Sequence, residues 1–301
     1  MTEPRLRIRV LGSAAGGGLP QWNCGCTNCM RARWGEIPSR TQSSIAVSVD
    51  GRSWAIANAS PDLRQQIADA PVLWPSGARE SPIQAVLLTN GEIDHVAGLL
   101  TLREKTPFAV HATAEIHRML STNRIFDALD PAVVSRPAEA LGVPFALLPG
   151  LEAELFAVPG KAPLHVEEDT ARGDLEGEQT VGVAFSDGMR QVFYVPGCAR
   201  LTPDLVERFA AAELVLFDGT LWADDEMIGT GLGEKTARRL SHMPMAGPEG
   251  SLAAFAEIPV GRKVFVHMNS SNPVLDPESP QRRTVEGAGW TVAEDGMELY
   301  P

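Results

Sequence analysis

The chain has 301 residues, of which 44% are hydrophobic and 21% are charged. These fractions are typical of a globular protein, and no apolar run approaches the roughly 20 residues that span a bilayer, which excludes a membrane protein. The formal net charge is −12 and no cluster of Lys and Arg is present, which excludes nucleic acid as a partner. Because the first residues lack the layout of a signal peptide, we expect a cytoplasmic protein. The length of the chain is compatible with a single domain, which we expect over residues 1–301.

Hydrophobic periodicity predicts strands and helices along the whole chain. The predicted strands cover residues 5–11, 44–49, 53–58, 84–89, 108–111, 155–158, 180–185, 191–195, 214–217, 263–266 and 290–292. The predicted helices cover residues 61–70, 96–105, 113–121, 203–212 and 249–257. Residues 160–179 are polar and indicate a surface loop. Strands in two groups with helices between them indicate an α/β sandwich.

Three cysteines lie close together on a glycine-rich loop, at Cys24, Cys26 and Cys29. In a reducing compartment this spacing indicates a metal site more than disulfides. A structural zinc ion usually has four ligands, all of them thiolates or imidazoles of the protein. A fourth ligand therefore has to come from another part of the chain. His242 is the first candidate for that ligand and Cys198 is the second. The alternative is three thiols that bind no ion.

Residues of the kind that bind metals follow three predicted apolar strands. Asp94 and His95 come after the strand at 84–89, next to Glu92, whereas Asp218 and His267 end two later strands. Catalytic groups often lie beyond the carboxyl ends of strands, where rigid elements hold them. Three such strand ends together predict a second, reactive metal site.

The turn at residues 89–95 resembles the H-x-H-x-D-H signature of the metallo-β-lactamase superfamily. Asp218 looks like the bridging aspartate of that superfamily, and His267 looks like its last histidine. Nearly the whole chain is similar to one family of this superfamily, whose members take part in the synthesis of pyrroloquinoline quinone (PQQ). The further motifs that carry this resemblance are VPGKAPL, YVPGCA, LFDGTLW, RLSHMPM and VFVHMNSSNP. The resemblance implies an α/β metallo-β-lactamase fold, a four-layer αββα sandwich.

The sequence departs from the superfamily at its first metal site. By the resemblance, Asn90, Glu92 and Lys161 stand where that site has histidines. Lysine is protonated near neutral pH and does not bind a cation until it loses that proton. All the histidine ligands of the first metal site are therefore replaced, which indicates that the chemistry of the site differs from that of the superfamily.

The second site keeps Asp94, His95 and His267, with Asp218 as a fourth candidate ligand. Two histidines and one carboxylate with open positions are the arrangement associated with non-haem Fe(II) and O₂. The resemblance implies an iron-dependent hydroxylase of PQQ biosynthesis, with structural Zn²⁺, reactive Fe²⁺ and O₂ as co-substrate. Its implied substrate is the tyrosine ring of a Glu-Tyr-derived precursor.

The remaining polar residues near these motifs receive roles as hypotheses. Glu92 would act as a general base, or as a carboxylate that orients a metal ligand. Lys161, together with Asn90, Asn269 and Ser270, would bind the substrate. Two alternatives stay open: a hydrolase of the same fold, and a carrier that binds a PQQ-like ligand without turnover. We expect a small peptide-derived ligand as the partner, with a homodimer as an option.

Overall fold

The structure, a computed structural model, describes residues 6–161 and 174–301. Most of the loop predicted at 160–179 therefore lies outside the described residues. The strands, in chain order, are β1 (Arg7–Gly12), β2 (Ser44–Ser48), β3 (Trp54–Ala57), β4 (Ile83–Leu87), β5 (Phe108–His111), β6 (Val134–Ser135), β7 (Phe145–Leu148), β8 (Leu151–Ala157), β9 (Val181–Ser186), β10 (Gln191–Val195), β11 (Leu214–Asp218), β12 (Arg262–Val266), β13 (Trp290–Val292) and β14 (Glu298–Leu299).

The described strands form two mixed sheets. The order in the first sheet is β14-β1-β2-β3-β4-β5-β6, and the order in the second is β13-β12-β11-β10-β9-β8-β7. Strands β3 to β6 run parallel, as do β10 to β13, whereas the other neighbours are antiparallel. The carboxyl ends of parallel strands meet at one edge of each sheet, and this edge carries the candidate site.

Helices flank the two sheets, which completes the αββα sandwich. The α-helices are α1 (Thr27–Arg33), α2 (Leu63–Ala68), α3 (Ile93–Val96), α4 (Ala114–Ser121), α5 (Pro203–Phe209), α6 (Glu226–Gly229), α7 (Ser251–Ala254) and α8 (Pro280–Gly287). Short 3₁₀ helices lie at Pro71–Leu73, Ala97–Leu102, Arg124–Ala128, Arg238–Leu240 and Pro273–Leu275. None of the described helices combines the length and the apolar character needed to cross a bilayer.

The apolar run of β11 shows how the second sheet is buried on both faces. Leu214 and Leu216 belong to a core cluster that also contains residues of the first sheet. Val215 and Phe217 point the other way, into a second cluster that includes residues of α5 and α8. Alternate residues of a strand face opposite sides, so a strand between two apolar layers is apolar throughout.

Two predicted local structures are wrong. The helix predicted at 96–105 is instead the short α3 followed by a 3₁₀ helix, since the Gly98 amide donates to the Ala59 carbonyl at 2.9 Å. The cysteine loop is also partly helical. Cys26 precedes α1 as its N-cap, and its sulfur accepts a hydrogen bond from the amide of Cys29.

Candidate metal centre

A cavity of about 280 Å³ lies beyond the carboxyl ends of β4, β11 and β12. Asp94, His95 and His267 line this cavity. Asp94 and His95 are on α3, which begins directly after the turn that follows β4, and His267 is the residue after β12. The structure therefore brings together the strand-end residues that the sequence predicts as ligands of the reactive metal.

The three side chains converge on one point. Oδ2 of Asp94 lies 3.3 Å from Nε2 of His267 and 3.7 Å from Nε2 of His95. Nε2 of His95 is buried and has no hydrogen-bond partner within the described residues. A buried polar atom without a partner is costly, and a metal ion would satisfy it. The donor set of two imidazole nitrogens and one carboxylate oxygen fits a divalent transition metal.

The outer nitrogens of both imidazoles contact threonine hydroxyls. Nδ1 of His95 lies 3.3 Å from Oγ1 of Thr89, and Nδ1 of His267 lies 2.8 Å from Oγ1 of Thr220. A partner at Nδ1 fixes the ring orientation and leaves the lone pair of Nε2 directed at the metal position. The threonines are therefore the residues that orient both ligands.

The electrostatics of the site favour a cation between these residues. Burial lowers the pKa of His95 to about 4, so this imidazole is neutral near pH 7. Burial also raises the pKa of the Asp94 carboxyl, but His95 and His267 outweigh it and the pKa lies well below its usual range. Burial lowers the pKa of His267, but the hydrogen bond to Asp94 outweighs it and the pKa is raised. A positive charge is thus stabilised beside Asp94.

Asp218 and His242 form a second group on the other side of the His267 ring. Oδ2 of Asp218 lies 2.7 Å from Nδ1 of His242 and accepts a hydrogen bond from the amide of Cys198 at 3.0 Å. The rings of His242 and His267 stack with centroids 5.4 Å apart. Asp218, His242 and His267 form a candidate metal-ligand group that does not include Asp94 or His95.

This second group corrects two predictions. His242 is not a ligand of the structural zinc, because its Nδ1 atom faces Asp218 and it lines the cavity of the reactive site. Asp218 is not a fourth member of the Asp94 group, because its ligand atom lies with those of His242 and His267 and apart from those of Asp94 and His95. The sequence offered only a histidine in a Ser-His-Met-Pro loop, so the place of His242 in the cavity was missed.

The three predicted thiolate ligands do come together. The sulfur atoms of Cys24, Cys26 and Cys29 lie within 4.8 Å of one another, and no fourth His, Cys, Asp or Glu of the described chain joins them. Cys198 is elsewhere, with its thiol directed at the carbonyl of Arg200 at 3.1 Å. Burial raises the pKa of Cys26 to about 12, so this residue is a thiol unless a cation binds it. The prediction of His242 or Cys198 as the fourth ligand is therefore wrong.

The predicted substrate-binding residues divide into two sets. Asn90, Lys161 and Asn269 line the cavity, as does Glu92, whose carboxylate lies 3.9 Å from the ammonium nitrogen of Lys161. Their role in binding stays a prediction. Ser270 does not line this cavity: it is buried, and its carbonyl faces the cysteine helix α1. The prediction that Ser270 binds the substrate is therefore corrected.

Comparison with known proteins places this geometry in a family. A family model described as a β-lactamase superfamily domain matches residues 53–268. The chain is 55% identical to coenzyme PQQ synthesis protein B of Ruegeria pomeroyi, over 98% of this chain and 99% of that protein. It is 52% identical to the protein in a crystal structure of Zn²⁺-bound PqqB from Methylobacterium extorquens, with a TM-score of 0.96 over 97% of this chain and 99% of that one. A diphosphatase from the PhnP family, 19% identical with a TM-score of 0.70 over 99% of this chain and 97% of that one, shares the fold alone.

Proposed function

The chain belongs to the coenzyme PQQ synthesis protein B family of the metallo-β-lactamase superfamily, and from its site we propose that it is a metal-dependent hydroxylase of PQQ biosynthesis. The proposed substrate is the tyrosine ring of a Glu-Tyr-derived precursor. The observation that carries the proposal is the convergence of Asp94, His95 and His267, with the buried Nε2 of His95 lacking a partner in the described chain. The metal-binding part of the proposal rests on this geometry, the place in PQQ biosynthesis rests on the family, and the hydroxylation rests on the ligands that the site retains.

The choice of an oxygenase over a hydrolase rests on which ligands the site retains. A two-metal hydrolase holds an activated water between two ions. Asn90, Glu92 and Lys161 line the cavity, and by the resemblance they stand where the superfamily's first metal has histidines. None of the three supplies an imidazole. The retained set of two histidines and one carboxylate suits Fe(II) with open positions for O₂ and substrate.

The reaction needs a reductant as well as O₂. Hydroxylation replaces one ring hydrogen by a hydroxyl from O₂, while the second oxygen atom leaves as water and an external donor supplies two electrons and two protons. When bound, the ferrous ion supplies the redox chemistry. Asp94, His95 and His267 would hold it, and their hydrogen-bond partners would keep them oriented.

The other cavity residues would handle protons and bind the substrate. His242 is held by Asp218 through Nδ1, so its Nε2 atom can accept a proton from the ring carbon or phenol. Glu92 is a second carboxylate for the same purpose, and Lys161 can pair with a substrate carboxylate. Asn90 and Asn269 offer amide groups to the polar parts of a dipeptide.

Anaerobic reconstitution tests the proposal. The metal-free protein is loaded with Fe²⁺ and then given O₂, ascorbate and a peptide that contains Glu and Tyr. We expect a product whose mass has increased by one oxygen atom, and we expect none from a His95→Ala variant. The matched control is His117→Ala, which removes a partly buried histidine of α4 far from the cavity and should leave the product unchanged.

Two results would contradict the hydroxylase. One is turnover of a phosphodiester by zinc-loaded protein without any demand for O₂, which would indicate the hydrolase. The other is tight binding of PQQ with no oxygen consumed on any tyrosine-containing substrate, which would indicate the carrier.

A further inference from the structure

We propose that the thiolate centre positions the reactive centre, and that Asn28 is the residue that connects them. The inference rests on metal binding by Asp94, His95 and His267 but not on the hydroxylation. The thiolate centre is here Cys24, Cys26 and Cys29, and the connecting turn is residues 268–272, which directly follow His267. Neither centre shares a ligand with the other in the described chain.

The first step of the connection runs from α1 to the connecting turn. Asn28 lies between two of the cysteines, and its side chain is buried. Its amide nitrogen donates to the carbonyl of Ser270 at 3.0 Å and to the carbonyl of Asn272 at 2.9 Å. The sulfur of Cys26 also lies 3.8 Å from the Ser270 carbonyl. The cysteine helix therefore holds the connecting turn through one side chain with two buried hydrogen bonds.

The second step runs from the turn to the segment after β11. The side chain of Asn272 donates to the carbonyl of Gly219 at 2.9 Å. The backbone N–H of Asn269 donates to the backbone carbonyl of Thr220 at 2.9 Å. Both ends of the turn thus bind the residues that follow Asp218.

The third step reaches a ligand of the reactive metal. The hydroxyl of Thr220 lies 2.8 Å from Nδ1 of His267 and 3.0 Å from the carbonyl of the same residue. His267 adopts a left-handed backbone with φ of 59°, which a residue other than glycine rarely adopts without support from its surroundings. The hydrogen bond from Nδ1 of His267 to the Thr220 hydroxyl, together with the hydrogen bonds of the turn, provides that support and orients the imidazole.

A second route joins the same two regions. The amide of Ala15 donates to the carbonyl of Met268 at 2.7 Å, and the amide of Met268 donates to the carbonyl of Ser13 at 3.0 Å. The neighbouring Gly16 lies against Asp94, since a Cβ atom there would be 3.3 Å from Oδ2 of that residue. The loop that leads to the cysteines therefore also packs against the carboxylate ligand.

The metal ion bound at the thiolate centre is what would hold α1 in this position. A helix of seven residues is too short to be stable alone. An ion bound by three cysteines on and before this helix would fix it and, with it, the amide of Asn28. Residues that hydrogen-bond directly to a metal ligand typically change metal affinity by about 10- to 100-fold, and Asn28 acts on such a residue, Thr220, through the connecting turn.

Cobalt titration of an Asn28→Ala variant tests the connection. Thiolate-bound Co²⁺ gives intense sulfur-to-metal charge-transfer bands, whereas Co²⁺ at Asp94 and two histidines gives weaker visible bands. We expect the thiolate bands to persist and the dissociation constant of the reactive site to rise by up to about 10-fold, the lower end of that range. The matched control is Asn123→Ala, which removes an amide that donates to the carbonyl of Met119 near the end of α4. It should leave both sites unchanged.

Four further results decide the matter. In a Cys26→Ser variant the thiolate bands should weaken and the reactive site should bind Co²⁺ less tightly, although Asn28 is intact. If Asn28→Ala yields no folded protein, Asn28→Asp, which keeps the size of the side chain and removes the donor, should show the weakened site. An unchanged dissociation constant in a folded Asn28 variant would overturn the connection. Wild-type protein that binds Co²⁺ only at the thiols would instead contradict the reactive site itself.

Discussion

At the scale of single residues, the proton transfer proposed for His242 can be tested apart from metal binding. Oδ2 of Asp218 lies 2.7 Å from Nδ1 of His242, and the ring of His242 stacks on that of His267, a candidate metal ligand, without belonging to the Asp94 group. A His242→Asn variant should keep its iron and lose about 10²-fold or more of the hydroxylation rate, as expected for removal of a general base. The measurement is single-turnover kinetics with iron content determined on the same sample. Loss of iron would make His242 a ligand, and an unchanged rate would remove its role in proton transfer.

His117 provides a test of burial that is independent of the metals. Its Nε2 atom lies 2.9 Å from the carbonyl of Pro137, and Nδ1 is buried without a partner in the described chain. Burial lowers the pKa of His117 below its ordinary value of 6.5, so the unfolded chain binds more protons below that pH. The contribution of His117 to the free energy of unfolding therefore rises with pH between its lowered native pKa and 6.5, and levels off above 6.5.

A His117→Gln variant should flatten this dependence. The slope of unfolding free energy against pH below 6.5 should decrease, by at most about 1.4 kcal/mol per pH unit, because one titrating group is removed. Urea denaturation at a series of pH values measures this slope. Parallel profiles for the variant and the wild type would show that His117 is not protonated on unfolding in this range.

The sequence predicted the residues at strand ends better than those on loops. Asp94, His95 and His267 follow apolar strands, so local pattern and the direction of parallel strands place them at one edge. His242 comes from a loop between a 3₁₀ helix and α7, and no local pattern shows which strand end such a loop approaches. Ser270 was misplaced because the backbone of the turn after His267 directs it toward α1, which sequence spacing does not reveal.

At the scale of elements, α3 is held close to the loop that follows β3. The amide of Ala59 donates to the carbonyl of His95 at 2.7 Å, and the amide of Gly98 donates to the carbonyl of Ala59 at 2.9 Å. A Cβ atom at Gly98 would overlap the carbonyl oxygen of Ser60. The close approach that glycine allows therefore sets the position of the helix that carries two candidate metal ligands.

A Gly98→Ala variant should lower stability and displace α3. We expect a loss of about 1–3 kcal/mol in the free energy of unfolding and weaker metal binding at the reactive site, with the thiolate site intact. The control is Gly287→Ala in α8, where a Cβ atom meets nothing within 4 Å and helix propensity favours alanine. Denaturation and metal titration of both variants measure the effects. Equal stability of the two variants would contradict the tight packing of α3.

Elements with strong periodicity were predicted closely, and short ones were missed. The strands at Phe108–His111, Gln191–Val195 and Trp290–Val292 have the predicted bounds. Helix α1 was missed because cysteine and polar residues occupy it, so it has no apolar stripe. The two-residue strands β6 and β14 exist through pairing with distant neighbours, which local sequence does not encode.

At the scale of the whole molecule, the two sheets bring distant parts of the chain to one site. Asp94 comes from the first sheet, His267 comes from the second, and the N-terminal loop with the cysteines packs against both. The alternation of strands and helices predicted the α/β class, and the family resemblance supplied the αββα arrangement. The connection between the two metal centres could not be predicted, because it runs through side-chain contacts between residues more than 240 positions apart.

Anomalous diffraction from crystals of the protein, loaded with zinc and then with Fe²⁺ under anaerobic conditions, tests the account most directly. Difference maps at the zinc and iron absorption edges identify each ion and its ligands. We predict zinc among the sulfur atoms of Cys24, Cys26 and Cys29, and one iron bound by Asp94, His95 and His267. An empty position between these last three residues, or two ions in the cavity, would contradict the account.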